Sequence, residues 1–139
     1  MSDDQIISFE DIDLEGVEAA PAFDTPPSGI YIVEVSMAQK LIGEKKKRAV
    51  EVNMVLREVV QIGTQHTEKP SDPGQKFSIL YFCDSPEKYG YLKRDLAVFF
   101  EAVGTTSLNT MVSTVQSLPV KAVLNYNKLD YLTATYEII

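Results

Sequence analysis

The feature that most restricts the possible fold is one helical pattern, from Ser85 to Gly104, in a chain whose other patterned segments mostly alternate as strands. Apolar side chains recur along it at helical spacing and form a single stripe. They are Tyr89, Leu92, Leu96, Phe99 and Val103. Ser85 suits the N-cap, Pro86 the first turn, and Gly104 the left-handed residue that ends a helix. We therefore expect one amphipathic helix set among strands.

Five segments are predicted to be strands: four show the period-two alternation of half-buried strands, and the third is apolar or aromatic on both faces, which suits a central strand. They cover residues 29–37, 50–57, 76–83, 118–126 and 131–138, with the helix after the third. A shorter helical spacing in residues 105–117 predicts a second, short helix. Three strands, a helix and two strands is the element order of the OB-fold, a five-stranded, partly open Greek-key barrel with its helix between strands three and four. We therefore expect a mainly β protein, with an OB-like barrel over residues 28–139.

The beginning of the chain differs from the rest in charge. The net charge is −7, but residues 1–24 contain eight carboxylates and no base, so the remainder has 13 basic and 12 acidic residues. Residues 19–27 are rich in Ala and Pro, a composition typical of a linker. Residues 1–27 are therefore predicted to be a disordered acidic arm and linker attached to a near-neutral body.

Apolar residues alternate with the carboxylates of this arm, which favours a segment that binds another protein or folds back on a basic groove. A simple solubilising tail has the same composition. The predicted partner-binding residues are Phe9, Glu10, Asp11, Ile12 and Asp13. Asp11, Asp13 and Gly16 match the first half of an EF-hand loop, but its twelfth position is Ala22 instead of a bidentate Glu. We therefore expect no metal site.

The ligand of an OB-fold lies across strands two and three, between the loops that join strands one–two and four–five. The first of these loops, residues 40–48, is the most basic stretch of the chain, and the second, residues 127–130, carries Lys128 between two tyrosines. Binding of a single strand requires cations that contact the phosphates and aromatic rings on which the bases stack. A run of basic residues is, however, also typical of a solvated turn. The predicted nucleic-acid-binding residues are Lys40, Lys45, Lys46, Lys47, Arg48, Arg57, Lys76, Phe82, Tyr126, Lys128 and Tyr131.

Several motifs also resemble a known family, the small bacteriophage single-stranded-DNA-binding proteins of OB type. The motifs are Gly29-x-Tyr31, the basic first hairpin, and Tyr91-Leu92-Lys93-Arg94 followed by Phe99-Phe100-x-Ala102-x-Gly104. The resemblance covers residues 29–138. It implies the coating of single-stranded DNA in replication or recombination, with an acidic tail that recruits other proteins of these processes. Such tails usually lie at the C-terminus, whereas the acidic segment here is N-terminal.

The main alternative is a small β-barrel virion or assembly protein whose N-terminal arm contacts neighbouring subunits. A third possibility is an interaction module that binds no nucleic acid. Catalysis is not expected, because the chain has no Gly-rich phosphate loop, HExxH, paired CxxC or GxSxG motif, and we expect no cofactor. The single histidine, His66, lies in a polar loop over residues 63–75 without a metal-binding partner nearby in the sequence.

The location of the protein is predicted from what its sequence lacks. No apolar run is long enough to span a bilayer, and no signal segment opens the chain. We therefore expect a cytoplasmic protein without membrane contact, in the host cytoplasm if phage-encoded, as a monomer or homodimer. The single cysteine, Cys83, excludes an internal disulfide and is expected to be a small buried hydrophobe.

Overall fold

The alternating segments form one antiparallel sheet in the computed structural model, which describes residues 25–139. Its strands are β1 (Gly29–Ile42), β2 (Lys47–Ile62), β3 (Lys76–Phe82), β4 (Leu118–Tyr126) and β5 (Leu132–Ile138). Their spatial order is β3-β2-β1-β4-β5, so β1 is central and β3 and β5 are the edges. The central position expected for the third strand is therefore wrong. The predicted mainly β class is confirmed for this part of the chain.

The β1–β2 hairpin extends past the strands on either side of it. The ladder continues to Ile42 opposite Lys47. However, β4 pairs with β1 only as far as Val35, and β3 pairs with β2 only from Ala49 onwards. The end of the hairpin is therefore a two-stranded ribbon, closed by a turn at residues 43–46.

This ribbon corrects the loop that was expected at residues 40–48. Lys40 lies in β1, Lys47 and Arg48 lie in β2, and only the four residues between the strands form the turn. Alternation of apolar and polar residues identifies a strand by its buried face. A run of four cations has no such alternation, so the sequence pattern underestimated both strands.

The helical segment is divided instead of continuous. After a 3-10 turn at Pro86–Lys88 come α1 (Tyr89–Asp95), α2 (Ala97–Val103) and α3 (Leu108–Thr114). Leu96 leaves helical geometry, with φ −110° and ψ 15°, while its side chain is fully buried. The single helix predicted over residues 85–104 is thus replaced by a bent pair, whereas the short second helix predicted within residues 105–117 is present as α3. Ser85 forms no side-chain cap, whereas Gly104 ends α2 with φ 76°, as predicted.

The core lies between the inward face of the sheet and the helices. Tyr31, Val33 and Val35 of β1 have no exposed surface. Phe99 of α2 packs edge-on against Tyr136 of β5, with ring centroids 4.9 Å apart. This contact places α2 against the β5 side of the core.

The last residues of the predicted linker belong to the folded body. Pro26, Pro27 and Ser28 are buried. The Tyr31 hydroxyl donates a hydrogen bond to the Pro27 carbonyl at 2.7 Å, and the Tyr126 hydroxyl donates one to the Pro26 carbonyl at 2.6 Å. The body therefore includes residues 25–27, although their Pro-rich composition is typical of a linker. The predicted arm, including Phe9 to Asp13, lies outside the described residues.

Candidate nucleic-acid interface

The end of the β1–β2 hairpin, here called the hairpin tip (residues 43–48), carries four cations without a carboxylate partner. Lys45 and Lys46 lie in the turn, Lys47 and Arg48 begin β2, and all four are exposed. None forms a salt bridge with another residue of the 25–139 range. Glu44 lies in the same turn and Asp84 interacts electrostatically with Lys47, but the four cations outnumber these two acids and give this end of the protein a local positive potential that attracts anions.

A shallow hollow beside the tip contains the aromatic ring of Phe82, at the end of β3. Lys45, Lys47 and Lys88 line it as well, and its volume is about 530 Å³. The Phe82 ring is 36% exposed, and the Lys88 Nζ lies 5.6 Å from its centroid. Phe82 thus points outward while Tyr81 faces the core, because neighbouring residues of a strand lie on opposite faces of the sheet. A half-exposed ring among cations suits a base stacked beside its phosphate.

Two of the predicted cations already have carboxylate partners. Lys40 pairs with Glu51 at 3.2 Å, and the Arg57 guanidinium pairs with Glu34 on the outward face of the sheet. Because these charges are neutralised locally, they add less to phosphate binding than the tip does. Lys76 is exposed at the start of β3, opposite Val55 and away from the tip.

The loop between β4 and β5 presents Lys128 and Tyr131 to solvent. The Asn127 Oδ1 accepts hydrogen bonds from the backbone N–H groups of Leu129 and Tyr131, at 2.9 and 3.0 Å. These bonds fix the loop while 66% of Tyr131 is exposed. Tyr131 is therefore accessible for the stacking role predicted for it.

Tyr126 does not have the exposure that its predicted stacking role requires. It is only 8% exposed, and its ring lies 4.3 Å from the imidazole of His66. The parity of β4 places it on the inward face with Val120, Ala122 and Leu124. The alternation of β4 in the sequence already placed Tyr126 on the inward face. Its position next to the β4–β5 loop therefore did not indicate that its ring is exposed.

His66 connects the 63–75 loop to the β4–β5 loop. Its Nε2 lies 2.5 Å from the Asp130 Oδ1, and its Nδ1 lies 3.4 Å from the Glu68 Oε1. The hydrogen bond with Asp130 is the main cause that raises the pKa of His66. Gln65 adds a second link, because its side-chain amide exchanges two 2.9 Å hydrogen bonds with the backbone of Tyr126. The polar loop predicted at residues 63–75 is therefore tied to the body at its beginning.

The two candidate loops lie at opposite ends of β1. Leu124, just before the β4–β5 loop, pairs with Gly29, while the hairpin tip follows Ile42. About 13 residues at roughly 3.3 Å each separate these ends along β1, or roughly 43 Å if the strand were straight. The outward face of β1, β2 and β3 lies between them. The structure therefore shows two basic and aromatic regions joined by a sheet face instead of one compact cluster.

A larger groove, which the sequence did not indicate, lies between the hairpin and helices α1, α2 and α3. Its volume is about 840 Å³, and its lining includes Leu92, Phe100, Leu108 and Cys83. Burial raises the pKa of the Cys83 thiol, whose expected buried position is confirmed. The groove forms where three segments distant in the sequence meet, and no local pattern could have indicated it.

Comparison with known proteins does not identify this surface. No protein-family model matches the chain, and no curated protein sequence matches it either. Within residues 25–139, no helix is both long and apolar enough to cross a membrane. The same range contains no group of three His, Cys, Asp or Glu side chains that could hold a metal ion. The function must therefore be argued from the chemistry of the surface.

Proposed function

We propose that this chain is a non-catalytic protein that binds single-stranded DNA with little sequence preference and acts in DNA replication or recombination, as its resemblance to bacteriophage single-stranded-DNA-binding proteins implies. The observation that carries the proposal is the hairpin tip, where four cations without carboxylate partners lie next to the half-exposed ring of Phe82. This combination provides charge for phosphates and a flat apolar surface for a base.

An OB-like Greek-key barrel is the fold that we propose for this function. Three features support it: β1 is central and pairs with both β2 and β4, the two edge strands are β3 and β5, and the helices follow β3 in the chain. In such a barrel the single strand would cross the outward face of β2 and β3 from the hairpin tip toward Tyr131.

The expected binding chemistry is tolerant of base sequence. Lysine and arginine at the tip contact phosphates, and such contacts release counterions without reading the bases. Phe82 and Tyr131 offer ring faces, on which any base can stack. Polar side chains on the sheet between them, such as Ser36, Asn53 and Ser78, are in register across three strands and fit sugar and phosphate contacts.

The test is a salt titration of binding to a fluorescent oligo-dT and to a duplex of the same length. We expect preference for the single strand and an affinity that falls steeply with salt. Changing Lys45, Lys46, Lys47 and Arg48 together to Ala should reduce the salt slope by about 0.7 for each phosphate that these side chains neutralise in the parent. The matched control changes Lys121 and Arg94 to Ala, because both cations are accessible, with side chains 43% and 68% exposed, and both have carboxylate partners.

Two results would overturn the proposal. One is a parent protein that binds no oligo-dT at low salt, and the other is a folded fourfold variant whose affinity and salt slope equal those of the parent. A protein that fails to bind and forms a large defined oligomer would instead indicate the virion or assembly role.

A further inference from the structure

The groove beneath the hairpin has an apolar floor with a positive rim. Leu92, Phe100 and Leu108 come from three different helices and form the floor, together with Val50 of β2. The groove volume of about 840 Å³ lies within the range of roughly 300–1,000 Å³ that is typical of small-molecule sites. Such a floor accommodates a flat apolar group of the size of a nucleobase.

The charges around the groove are of one sign. Lys40, Arg48 and Lys93 are among its lining residues, and no Asp or Glu is. Lys40 is held by Glu51, but neither Arg48 nor Lys93 forms an ion pair with a residue of the described range. An apolar floor below two unpaired cations is complementary to a ligand that combines a flat ring with a negative charge.

Polar side chains at the mouth add hydrogen-bonding capacity. The Gln39 Nε2 donates to the Asn109 Oδ1 at 3.1 Å, which joins the hairpin to the start of α3. In this arrangement the Gln39 carbonyl oxygen can still accept and the Asn109 amide can still donate, and this pair of groups matches the edge of a nucleobase. Tyr89 lines the groove while 54% of the residue is exposed, so its ring can stack on a bound base.

We propose that this groove binds one nucleotide of the single strand, with the base against the floor and Tyr89, and the phosphate between Arg48 and Lys93. The inference rests on the proposed function and adds a subsite away from the outward face of the sheet. Arg48 connects the two regions, because it belongs to the hairpin tip and also lines the groove. A strand bound at the tip can therefore extend one nucleotide into the groove past Arg48.

The acidic arm is the competing occupant, since its carboxylates would also complement the rim. The groove nevertheless fits a nucleotide better, because the amide pair and the exposed tyrosine ring match a base edge and a base face. An acidic peptide with aliphatic anchors would use only the cations and the apolar floor.

Cys83 provides a direct report of occupancy, because it is the only cysteine and it lines the groove. The experiment measures the rate at which a maleimide labels the full-length protein, with and without saturating oligo-dT. We expect the oligonucleotide to slow labelling several-fold, whereas inorganic phosphate at equal ionic strength does not. Tyr89→Ala should weaken binding to oligo-dT roughly 5- to 150-fold, the equivalent of about 1–3 kcal/mol for one stacked base.

Tyr91→Ala is the matched control, because Tyr91 is exposed on the same helix but does not line the groove. We expect this variant to bind like the parent. The inference is overturned if bound oligo-dT leaves the labelling rate unchanged, or if Tyr89→Ala binds like the parent while the fourfold hairpin variant is weakened. In the second case the proposed function survives. A parent that binds no oligo-dT overturns both.

The arm is tested in the full chain with a Phe9→Ala, Ile12→Ala double variant. If the nucleotide is the occupant, this variant labels at the parent rate in the absence of DNA. Faster labelling would show that the arm normally fills the groove, and this result would overturn the inference.

Discussion

The hydroxyl groups of Tyr81 and Tyr136 lie 2.7 Å apart and join β3 to β5, the two edge strands of the sheet. Burial raises the pKa of Tyr81 to about 12 and raises the pKa of Tyr136 as well. Both groups are therefore neutral at physiological pH, so one hydroxyl donates and the other accepts. The two edges of the sheet are thus held near each other by side chains instead of by a backbone ladder.

Removing either hydroxyl should reduce the stability of the fold. Tyr81→Phe leaves the buried hydroxyl of Tyr136 without its partner, at a cost of about 1–3 kcal/mol, and Tyr136→Phe should cost less because Tyr81 is partly exposed. The double variant should lose less than the sum of the single changes. Urea unfolding measures these free energies, with Tyr131→Phe as an exposed control that should change stability by less than about 0.5 kcal/mol. Additive losses would show that the bond contributes nothing.

His66 should titrate above the usual value for an exposed imidazole, because Asp130 and then Glu68 stabilise its protonated form. Since the pKa is raised in the folded state, the resulting stability is complete below about pH 6.5 and is lost as the pH rises through the folded value. With a single histidine in the chain, one imidazole signal in NMR reports the titration. Asp130→Asn should move the pKa toward its ordinary value. An unchanged pKa in this variant would contradict the assignment to Asp130.

Gly29 and Gly90 should respond in opposite ways to substitution by Ala. At Gly29 an added Cβ would lie 2.3 Å from the backbone oxygen of Gln61, so the chain must shift and stability should fall by at least about 1 kcal/mol. At Gly90, in α1, an added Cβ meets no atom within 4 Å, and the variant should gain about 0.5–1 kcal/mol. Thermal unfolding of the two variants checks both signs. Equal changes in stability for the two variants would show that the backbone at Gly29 moves away from the added Cβ without a loss of stability.

Substitutions at Tyr131 and Tyr126 should have separate effects, the first on DNA binding and the second on stability. Tyr131→Ala removes an exposed ring and should weaken binding to oligo-dT by about 1–3 kcal/mol with little change in melting temperature, if a base stacks there. Tyr126→Phe removes the hydroxyl that holds residues 25 and 26 and should lower stability by about 1 kcal/mol, leaving the affinity of the folded protein unchanged. Fluorescence titration and calorimetry on the same samples measure the two effects. If Tyr126→Phe weakened binding while Tyr131→Ala left it unchanged, the Tyr126 hydroxyl and not the Tyr131 ring would contribute to binding.

Much of the sheet could be predicted from the sequence because alternation identifies one buried face. The bounds of β4 agree with the prediction, and the parity of β3 places Tyr81 and Phe82 on opposite faces, although it does not say which of the two points outward. Gly104 was predictable because a left-handed residue at a helix end favours glycine. These features depend on short-range patterns, which a sequence contains directly.

Features that depend on contacts distant in the sequence could not be predicted. The break at Leu96 interrupts the helix without interrupting its apolar stripe, so the pattern alone looks continuous. The hairpin extends through a lysine run whose strand geometry comes from its pairing and not from alternation. The groove requires the hairpin and three helices to meet. Of the candidate site, the sequence indicated the basic tip and the exposed rings, but it missed the nearby groove.

The two-stranded end of the hairpin also determines how firmly its charges are held. A pair of strands without a third strand has little stability of its own. Its amide hydrogens should therefore exchange with solvent sooner than those of the central sheet, through local opening that leaves the core intact. Any ligand of the tip must then order a fluctuating ribbon, and that ordering opposes binding. Affinity at this site is consequently adjustable through the rigidity of the turn at residues 43–46, without the addition or removal of a single charge.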